Sequence, residues 1–224
     1  MFALRPAFED RHFFLDKVFA KKYVADLGYR VPKTLSENLS FVIKPKGKSC
    51  SKHVVVVSDG SIVLGNQYAD IIEELIVDEN GQVPPRDFKT FCFGYEAKFV
   101  QVIDRVQKTF AYYTADTWEP IYGLCIKPWK DQPKPARLKE LTDTCSKLSE
   151  RFHFPVRVDC YIASDGVVFG EFCLTLGIVG NLTDYGDTLL GQWWEDHFRK
   201  KGIEDEFSKK ECSFIYANKE VPFI

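Results

Sequence analysis

Five short segments rich in Val, Ile, Phe and Tyr follow one another between residues 40 and 116, with no helical pattern between them. Glycine, proline and acidic residues separate them, which is typical of strands joined by turns. Strands that follow each other without a helix pair antiparallel, because a parallel pair needs a long crossover connection. An Asp-Gly pair divides residues 53–65 into two arms, and Gly94 marks a hairpin turn within residues 87–105. This part of the chain is therefore predicted to be antiparallel β-sheet.

Helical patterns flank the β region. Residues 9–27 place apolar side chains at helical spacing, and Gly28, a residue suited to end a helix, follows them. Residues 136–152 form an amphipathic pattern, residues 157–172 form two apolar segments joined by Ser-Asp-Gly, and residues 189–201 form a last helical pattern. The absence of a G-x-G-x-x-G motif and of strand–helix alternation excludes a Rossmann-type fold. The predicted fold class is α+β.

The composition is that of a globular chain without a strongly charged surface. Its 224 residues include 30 Lys and Arg against 32 Asp and Glu, a formal net charge of −2, which gives no basic field for nucleic acid. The seven cysteines and four histidines show no metal-ligand spacing, so free thiols in a reducing compartment are expected. No signal-peptide pattern and no apolar run near 18 residues are present. We therefore predict a cytoplasmic protein with no membrane span and no nucleic-acid partner.

Two carboxylates lie within the apolar strands at residues 157–172, where acids are unusual. Alternation along the first strand places Arg157, Asp159 and Tyr161 on one face, and the turn can return Glu171 to Asp159. Paired carboxylates suit Mg²⁺, which takes hard oxygen ligands and keeps phosphate oxygens in its shell. Arg157 beside them could bind a phosphate or a carboxylate. The alternative is an Arg157–Asp159 ion pair on a solvated face, with an unrelated glutamate.

Polar residues also follow two other strands. Lys44 ends the strand at residues 40–45 and precedes the loop KGKSCSK, whose amides and lysines could stabilise an anion. On these residues alone, a solvated lysine-rich hairpin is favoured. The strand DIIEELIV runs into the acids of DEN, so its backbone could bind a planar base and an acid beyond it could reach a ribose. An edge strand with outward-facing glutamates explains that segment as well.

Five segments, in their order and spacing, resemble the ATP-grasp superfamily. They are FLDKVFAKKYVADLGYRVPKT, FVIKPKGKSC, IIEELI, DFKTFCFGYE and FPVRVDCYIASDGVVFGEFCLT, beginning at residues 14, 41, 71, 87 and 154. Within the superfamily they are most similar to the TupA-like ATP-grasp group, which is associated with bacterial surface-polysaccharide gene sets. The resemblance implies an ATP-grasp fold, in which two α+β lobes with antiparallel sheets grip a nucleotide between them. The implied parts are an N-terminal helical segment, a small lobe, a large lobe with the metal hairpin, and a C-terminal helix and tail, at residues 1–35, 36–77, 78–188 and 189–224.

The resemblance implies ATP and Mg²⁺ as cofactors and gives roles to matching positions. Residues expected to bind the nucleotide are Lys17, Lys44, Ser49, Glu73, Glu74, Leu75, Ile76, Asp78 and Glu79. In this set the two lysines contact phosphates, residues 73–76 hold adenine mainly through the backbone, and Asp78 or Glu79 reaches the ribose. Asp159 and Glu171 are the expected metal ligands. Catalytic roles fall to Arg157, which steadies a phosphate or acyl phosphate, and to Lys89 on the phosphate or acceptor side.

The activity that the resemblance implies is carboxylate–amine ligation through an acyl phosphate, with release of ADP and phosphate. An amino acid joined to a sugar acid or a peptide would fit the polysaccharide association, so the expected partner is a small-molecule, glycan or peptide acceptor. Two alternatives stay open: an ATP-grasp kinase acting on a small molecule or sugar, and a degenerate nucleotide-binding module.

Three features depart from the family pattern. The loop after Lys44 has one glycine where relatives usually have several, and Cys173 stands where many ATP-grasp enzymes have Asn. The resemblance begins at about residue 14, so we expect this chain to lack the N-terminal lobe that commonly precedes the first helix in ATP-grasp proteins and often helps bind the acceptor. We therefore expect a large acceptor, a second copy of the chain or a partner subunit to complete the acceptor site.

Overall fold

The computed structural model describes residues 16–33, 40–45, 55–57, 70–126, 129–152, 154–174, 178 and 181–201. Strands Phe41–Pro45 (β1), Val55–Val57 (β2) and Asp70–Glu74 (β3) form a three-stranded sheet in the order β2-β1-β3. A five-stranded sheet in the order β6-β5-β4-β7-β8 consists of Asp87–Phe93 (β4), Glu96–Asp104 (β5), Thr109–Thr114 (β6), Val156–Ala163 (β7) and Gly166–Cys173 (β8). Neighbouring strands in both sheets are antiparallel. With the helices, this confirms the predicted α+β class.

Three helices belong to the described residues: Lys17–Asp26 (α1), Leu138–Ser149 (α2) and Asp184–Lys201 (α3). The Asp16 carboxylate caps α1 by accepting the backbone N–H of Val18 at 2.8 Å, and Gly28 follows the helix with φ +84°. Of the helix predicted at residues 9–27, the part before residue 16 lies outside the described residues. Helix α2 lies within the pattern predicted at residues 136–152, whereas α3 begins five residues before the pattern predicted at residues 189–201.

Both faces of the five-stranded sheet are covered. Phe88, Val100 and Val158 belong to a buried cluster that also takes in residues of α1 and α2. On the other face, Phe91, Phe99 and Tyr112 pack with Leu190 and Trp193 of α3. Trp193 stacks on Phe99 with ring centroids 5.2 Å apart, which anchors α3 to the sheet. Alternation along β4 therefore gives one face to the α1–α2 core and the other to α3 and to the site described below.

Backbone hydrogen bonds join both the small sheet and the β7–β8 hairpin to the segment that follows α1. The backbone N–H of Phe169 in β8 donates to Arg30 O at 2.9 Å, and the N–H of Glu74 in β3 donates to Lys33 O at 2.9 Å. Beyond β3, Ile76 packs with Val168 of β8. Both sheets are thus tied to the extended segment that follows α1, and the small sheet lies next to the hairpin.

The segment predicted as one strand over residues 70–77 divides into two parts. It pairs with β1 only as far as Glu74, which lies opposite Phe41, the first residue of β1. Residues 75–77 continue outside the ladder, and Asp78 then bridges to Ala163 at the end of β7. The strand ends because its partner ends, and the remaining residues lead from the small sheet to the large one.

Candidate functional site

The two acids of the β7–β8 hairpin lie directly opposite each other. Asp159 of β7 and Glu171 of β8 are register partners, and the register shifts between Asp159 and Cys160. The neighbouring strand approaches closely at this bulge, since a Cβ atom on Gly170 would lie 3.0 Å from Asp159 O. Glycine before Glu171 therefore permits the backbone packing that brings the two carboxylates together.

Arg157 and Asp159 form a bidentate ion pair on the same face of β7. Arg157 Nε donates to Oδ1 at 2.6 Å and Arg157 Nη2 donates to Oδ2 at 2.8 Å. The side chains are 10% and 9% exposed, so the pair is buried and does not lie on a solvated face. Burial lowers the pKa of Arg157, but the charge and hydrogen bonds of Asp159 outweigh it and leave this pKa above its ordinary value. The guanidinium stays charged at any physiological pH.

Strand β4 adds a lysine and a further acid to this face. Lys89 lies opposite Asp159 in the register, and its ammonium contacts Asp159 Oδ2. Asp87, two residues earlier on the same face of β4, lies 3.9 Å from the Lys89 ammonium and also contacts Arg105. Lys89 is a predicted site residue. Asp87 was not predicted, although its i, i+2 spacing from Lys89 was a usable signal.

Helix α1 and the small sheet supply a second group of charges. Lys44 and Glu73 project from the same face of neighbouring strands, with Lys44 Nζ 2.9 Å from Glu73 Oε2. The ammonium of Lys21 in α1 contacts the other oxygen, Glu73 Oε1. Lys44 Nζ also lies 5.9 Å from the ring centroid of Tyr161 in β7. This contact brings the small-sheet charges up against the face that carries Asp159.

Burial and mutual repulsion depress the pKa values of two of these lysines. Burial is the largest cause for Lys21, and with the charges of Lys44 and Lys17 it lowers the pKa of Lys21 to about 7. Burial and the charge of Lys17 also lower the pKa of Lys44. Glu171 opposes both shifts, and Asp87 opposes that of Lys44. Acids of the large sheet therefore act electrostatically on lysines of α1 and β1, so the two groups form one charged cluster.

The cluster as a whole combines cationic and acidic side chains from both sheets and α1. Its members are Lys17, Lys21, Lys44, Glu73, Asp87, Lys89, Arg105, Arg157, Asp159, Tyr161 and Glu171. Seven of the eleven were predicted site residues. Four were not: Lys21, Asp87, Arg105 and Tyr161, of which Tyr161 had only been placed on the same strand face as Arg157 and Asp159. Lys21 is one helical turn after Lys17, a spacing that places both on one helix face and could have indicated it.

Other predicted site residues lie elsewhere. Asp78 is 2% exposed, and its carboxylate accepts the N–H groups of Asn80 and Gln82 and pairs with Arg86 Nε at 3.0 Å. Burial alone would raise the pKa of Asp78, but these hydrogen bonds outweigh it and lower the pKa below its usual value. Arg86 Nη2 also lies 3.3 Å from Glu79. The structure therefore uses Asp78 and Glu79 in a turn and does not bring them into the cluster.

The remaining adenine-side residues follow β3. The Glu74 carboxylate accepts the N–H of Lys33 at 3.2 Å and lies 3.5 Å from Arg30 Nη2. Leu75 is half-buried and Ile76 is buried. Ser49 lies outside the described residues.

The acids of the hairpin suit a cation that is shared with a phosphate. Within the described part of the chain, no group of three or more His, Cys, Asp or Glu side chains could enclose a metal ion. Mg²⁺ does not need such a cage, because it is commonly held by one or two carboxylates together with water and substrate phosphates. Asp159 and Glu171 fit that mode. Asp159 already pairs with Lys89 and Arg157, so a cation at Asp159 would compete with these side chains.

A cavity of about 150 Å³ lies away from this cluster, at the turn between β4 and β5. It is lined by Phe93, Gly94, Tyr95, Glu96, Lys98, Trp193, Asp196 and His197. None of the predicted site residues contributes to it.

No helix of the described residues is long and apolar enough to cross a membrane.

Comparison with known proteins agrees with this architecture. Two of the similar solved structures are D-alanine–D-alanine ligases. The Helicobacter pylori protein has a TM-score of 0.56 and 17% identity, with 82% of this chain and 61% of that protein covered. The Bacillus anthracis protein has a TM-score of 0.50 and 13% identity, with 86% and 68% covered. The chain therefore has the ATP-grasp fold and spans only about three fifths of the Helicobacter pylori ligase.

Sequence comparison identifies the family. No curated protein shows significant sequence similarity to the chain. The sequence model of the family described as TupA-like ATPgrasp matches residues 63–194, which is more than half of the chain and includes Asp87, Lys89, Arg157, Asp159 and Glu171. The chain belongs to the TupA-like ATP-grasp family.

Proposed function

We propose that this protein is a Mg-ATP-dependent ligase that activates a carboxylate as an acyl phosphate and joins it to an amine. The observation that carries the proposal is the convergence of cations and acids from two sheets on one partly buried cluster. Lys44 of the small sheet and Lys89 and Arg157 of the large sheet supply positive charge for a polyphosphate. Asp159 and Glu171 supply the oxygen ligands for a divalent cation.

In this proposal each part of the nucleotide has its own binding residues. Lys17 and Lys44 contact the phosphates. The backbone of residues 73–76 holds the adenine, because this segment leaves the β1 ladder after Glu74 and its polar groups are no longer all used within the sheet. The ribose lies toward the acids beyond that segment. Asp87 of the cluster and the predicted Asp78 and Glu79 are the candidates, and the charge of Asp87 acts on Lys44.

The metal belongs at the β7–β8 hairpin. Asp159 and Glu171 would hold Mg²⁺, which neutralises negative charge on the phosphates as the phosphoryl group transfers. Lys89 and Arg157 pair with Asp159 in the free protein. In the nucleotide complex they would also interact with the phosphate oxygens. Cys173 lies opposite Arg157 in the register and adds no hard oxygen ligand, so two carboxylates are the metal ligands that this hairpin offers.

The chemistry needs no nucleophile from the protein. An oxygen of the substrate carboxylate attacks the γ-phosphorus and ADP leaves. The amine then attacks the acyl carbon, phosphate leaves, and the amine loses a proton. Arg157 and Lys89 stabilise the charge of the transferring phosphoryl group, and the buried position of the cluster excludes water that would hydrolyse the acyl phosphate.

The finer assignments belong to the same proposal. The chain divides at residues 1–35, 36–77, 78–188 and 189–224 into the four parts implied by its family resemblance. The acceptor is a peptide, a glycan or a small molecule such as a sugar acid, and a large acceptor or a second subunit completes its site. The protein works in the cytoplasm, on a precursor of a surface polysaccharide.

Ligand-dependent thermal stability tests the nucleotide site. A ligand at about 100 times its dissociation constant stabilises the native state by roughly 2.7 kcal/mol. For a chain of this size, Mg-ATP should therefore raise the unfolding midpoint by roughly 5–10 °C. The rise should need Mg²⁺ and should be lost in Glu171→Gln. A matched control is Asp143→Asn, which changes an acid of α2 whose side chain is 63% exposed and should leave the rise intact.

Product analysis then distinguishes the ligase hypothesis from the kinase hypothesis. A ligase releases inorganic phosphate and forms a new amide, whereas a kinase leaves the phosphate on its product. A wild-type protein whose midpoint does not respond to Mg-ATP, even with candidate carboxylates present, would instead be a degenerate module that no longer binds the nucleotide.

A further inference from the structure

A buried carboxylate holds two lysines from different elements side by side. Lys21 Nζ of α1 contacts Glu73 Oε1, and Lys44 Nζ of β1 lies 2.9 Å from Glu73 Oε2. The Glu73 side chain is 1% exposed, and the two lysine side chains are 11% and 20% exposed. Because both ammonium groups bind the same carboxylate, an anion that reaches Lys44 is also within a short distance of Lys21.

The Glu73 contact has more positive than negative charge, because two ammonium groups share one carboxylate. The charged groups that face Lys21 are Lys17 on its own helix, Lys44 on β1, Glu73 on β3 and Glu171 on β8. Among the described residues, Lys17 adds positive charge to this space, and Glu171 and Asp87 oppose it. A buried excess of charge is unfavourable unless a counter-ion compensates it. A purely structural ion pair between α1 and β3 would need one lysine at Glu73 and gives no reason for two.

We propose that Lys21 is a third polyphosphate-binding lysine of the nucleotide site, held beside Lys44 by Glu73. The inference rests on the proposed function and adds a residue to it. Before nucleotide binds, Glu73 orients Lys21 and Lys44 and compensates part of their charge. The phosphates then supply the missing negative charge, and Glu73 acts as the positioning residue for both ammonium groups.

The proton balance of binding follows from the same arrangement. Burial and the neighbouring lysines lower the pKa of Lys21 to about 7, so the free protein holds Lys21 only partly protonated at neutral pH. A polyphosphate beside Lys21 favours its charged form and raises its pKa. Binding must then take up protons at neutral and slightly alkaline pH.

Titration calorimetry of the full chain with Mg-ATP measures both effects. In Lys21→Met the affinity should fall about 10- to 100-fold, the usual loss when one charge-assisted hydrogen bond is removed. Lys22→Met is the matched control, because Lys22 lies on the same helix with its side chain 73% exposed and should bind like wild type. Lys21→Arg keeps a permanent positive charge and should restore most of the affinity.

The number of protons taken up when Mg-ATP binds distinguishes the two roles of Lys21, because a lysine with a purely structural role would not change it. It is obtained by repeating the wild-type and Lys21→Arg titrations at pH 7.5 in two buffers of different ionisation enthalpy. Wild type should take up more protons than Lys21→Arg, whose guanidinium does not titrate in this range. Protons exchanged by the nucleotide itself are the same for both proteins and cancel in the difference.

Each outcome decides the inference. It is overturned if Lys21→Met binds Mg-ATP as tightly as Lys22→Met, or if Lys21→Arg takes up as many protons as wild type. If Lys21→Met fails to fold, the proton difference between wild type and Lys21→Arg still decides. Failure of the proposed function has a different signature, since wild type itself would then bind no Mg-ATP.

Discussion

Asp159 is the residue at which the charged contacts of the large sheet meet. It pairs with Arg157 on its own strand and with Lys89 on β4, and Glu171 lies opposite it on β8. All three partners come from strands, so their positions are fixed by sheet register and not by a loop. Asp159 therefore has two roles, because it neutralises two cations in the free protein and is a metal ligand in the proposed complex.

Replacing Asp159 with Asn should destabilise the protein. Asparagine keeps the size of the side chain but leaves Arg157 and Lys89 without their shared counter-charge in a buried position. Removing one partner of such a pair costs about 3 kcal/mol or more. Urea unfolding should show this loss in the free energy of unfolding.

The control for this substitution is Asp165→Asn, in the turn of the same hairpin. Its side chain is 64% exposed and contacts Arg30, so its loss should change the free energy of unfolding by less than about 1 kcal/mol. If Asp159→Asn were as stable as this control, the ion pairs of Asp159 would contribute little, which is the expectation for a degenerate module.

The sequence allowed part of this site to be predicted at the residue scale. Period-2 alternation on one strand and a tight turn to the next are local signals, and they gave Arg157, Asp159 and Glu171. Lys21 and its partner Glu73 are 52 residues apart in the chain. Such a contact depends on how α1 packs against the small sheet, which no local pattern encodes.

The β7–β8 hairpin is the element on which the metal assignment depends. Its bulge after Asp159 changes the register, so that Cys160 lies opposite Phe169 while Asp159 stays opposite Glu171. Gly170 is the residue that has no direct partner on β7 at this point. The sequence predicted the hairpin and its turn, but a bulge arises from the pairing of two strands and could not be read from either one alone.

Substituting Gly170 with Ala tests the importance of this geometry. The new Cβ would lie 3.0 Å from Asp159 O and 3.4 Å from Tyr161 Cε2, so backbone atoms of β7 must move. We expect a loss of about 1–3 kcal/mol in the free energy of unfolding, the usual range for overpacking. The thermal response to Mg-ATP should also shrink, because Asp159 and Glu171 would separate.

Asp165→Asn again provides the comparison for this hairpin, since it leaves the bulge untouched. A Gly170→Ala protein with full stability and a full response to Mg-ATP would mean that the two carboxylates need not be held in this register.

At the scale of the whole molecule, several kinds of contact join the small sheet to the large one. Among the described residues they include the segment after α1, the packing of Ile76 on Val168, and the charged cluster. Fold class and the order of elements were predictable, because patterns of strands and helices are local. The way in which the two sheets face each other was available only through the family resemblance. Neither the local sequence patterns nor the family resemblance identifies the acceptor, since the chain spans only part of the ligase that it resembles.

A nucleotide held by the cluster should stabilise both sheets at once. Lys44 belongs to the small sheet and Asp159 to the large one, so Mg-ATP between them adds contacts that any opening of either sheet must break. Hydrogen exchange of backbone amides should therefore slow by about 10- to 100-fold in β1, β3, β7 and β8 at saturating Mg-ATP. Strand β6, at the opposite edge of the large sheet, is the internal control and should change least. In Glu171→Gln the added protection should disappear from both sheets together. Protection confined to the small sheet would place the nucleotide away from the hairpin and would contradict a site shared between the two sheets.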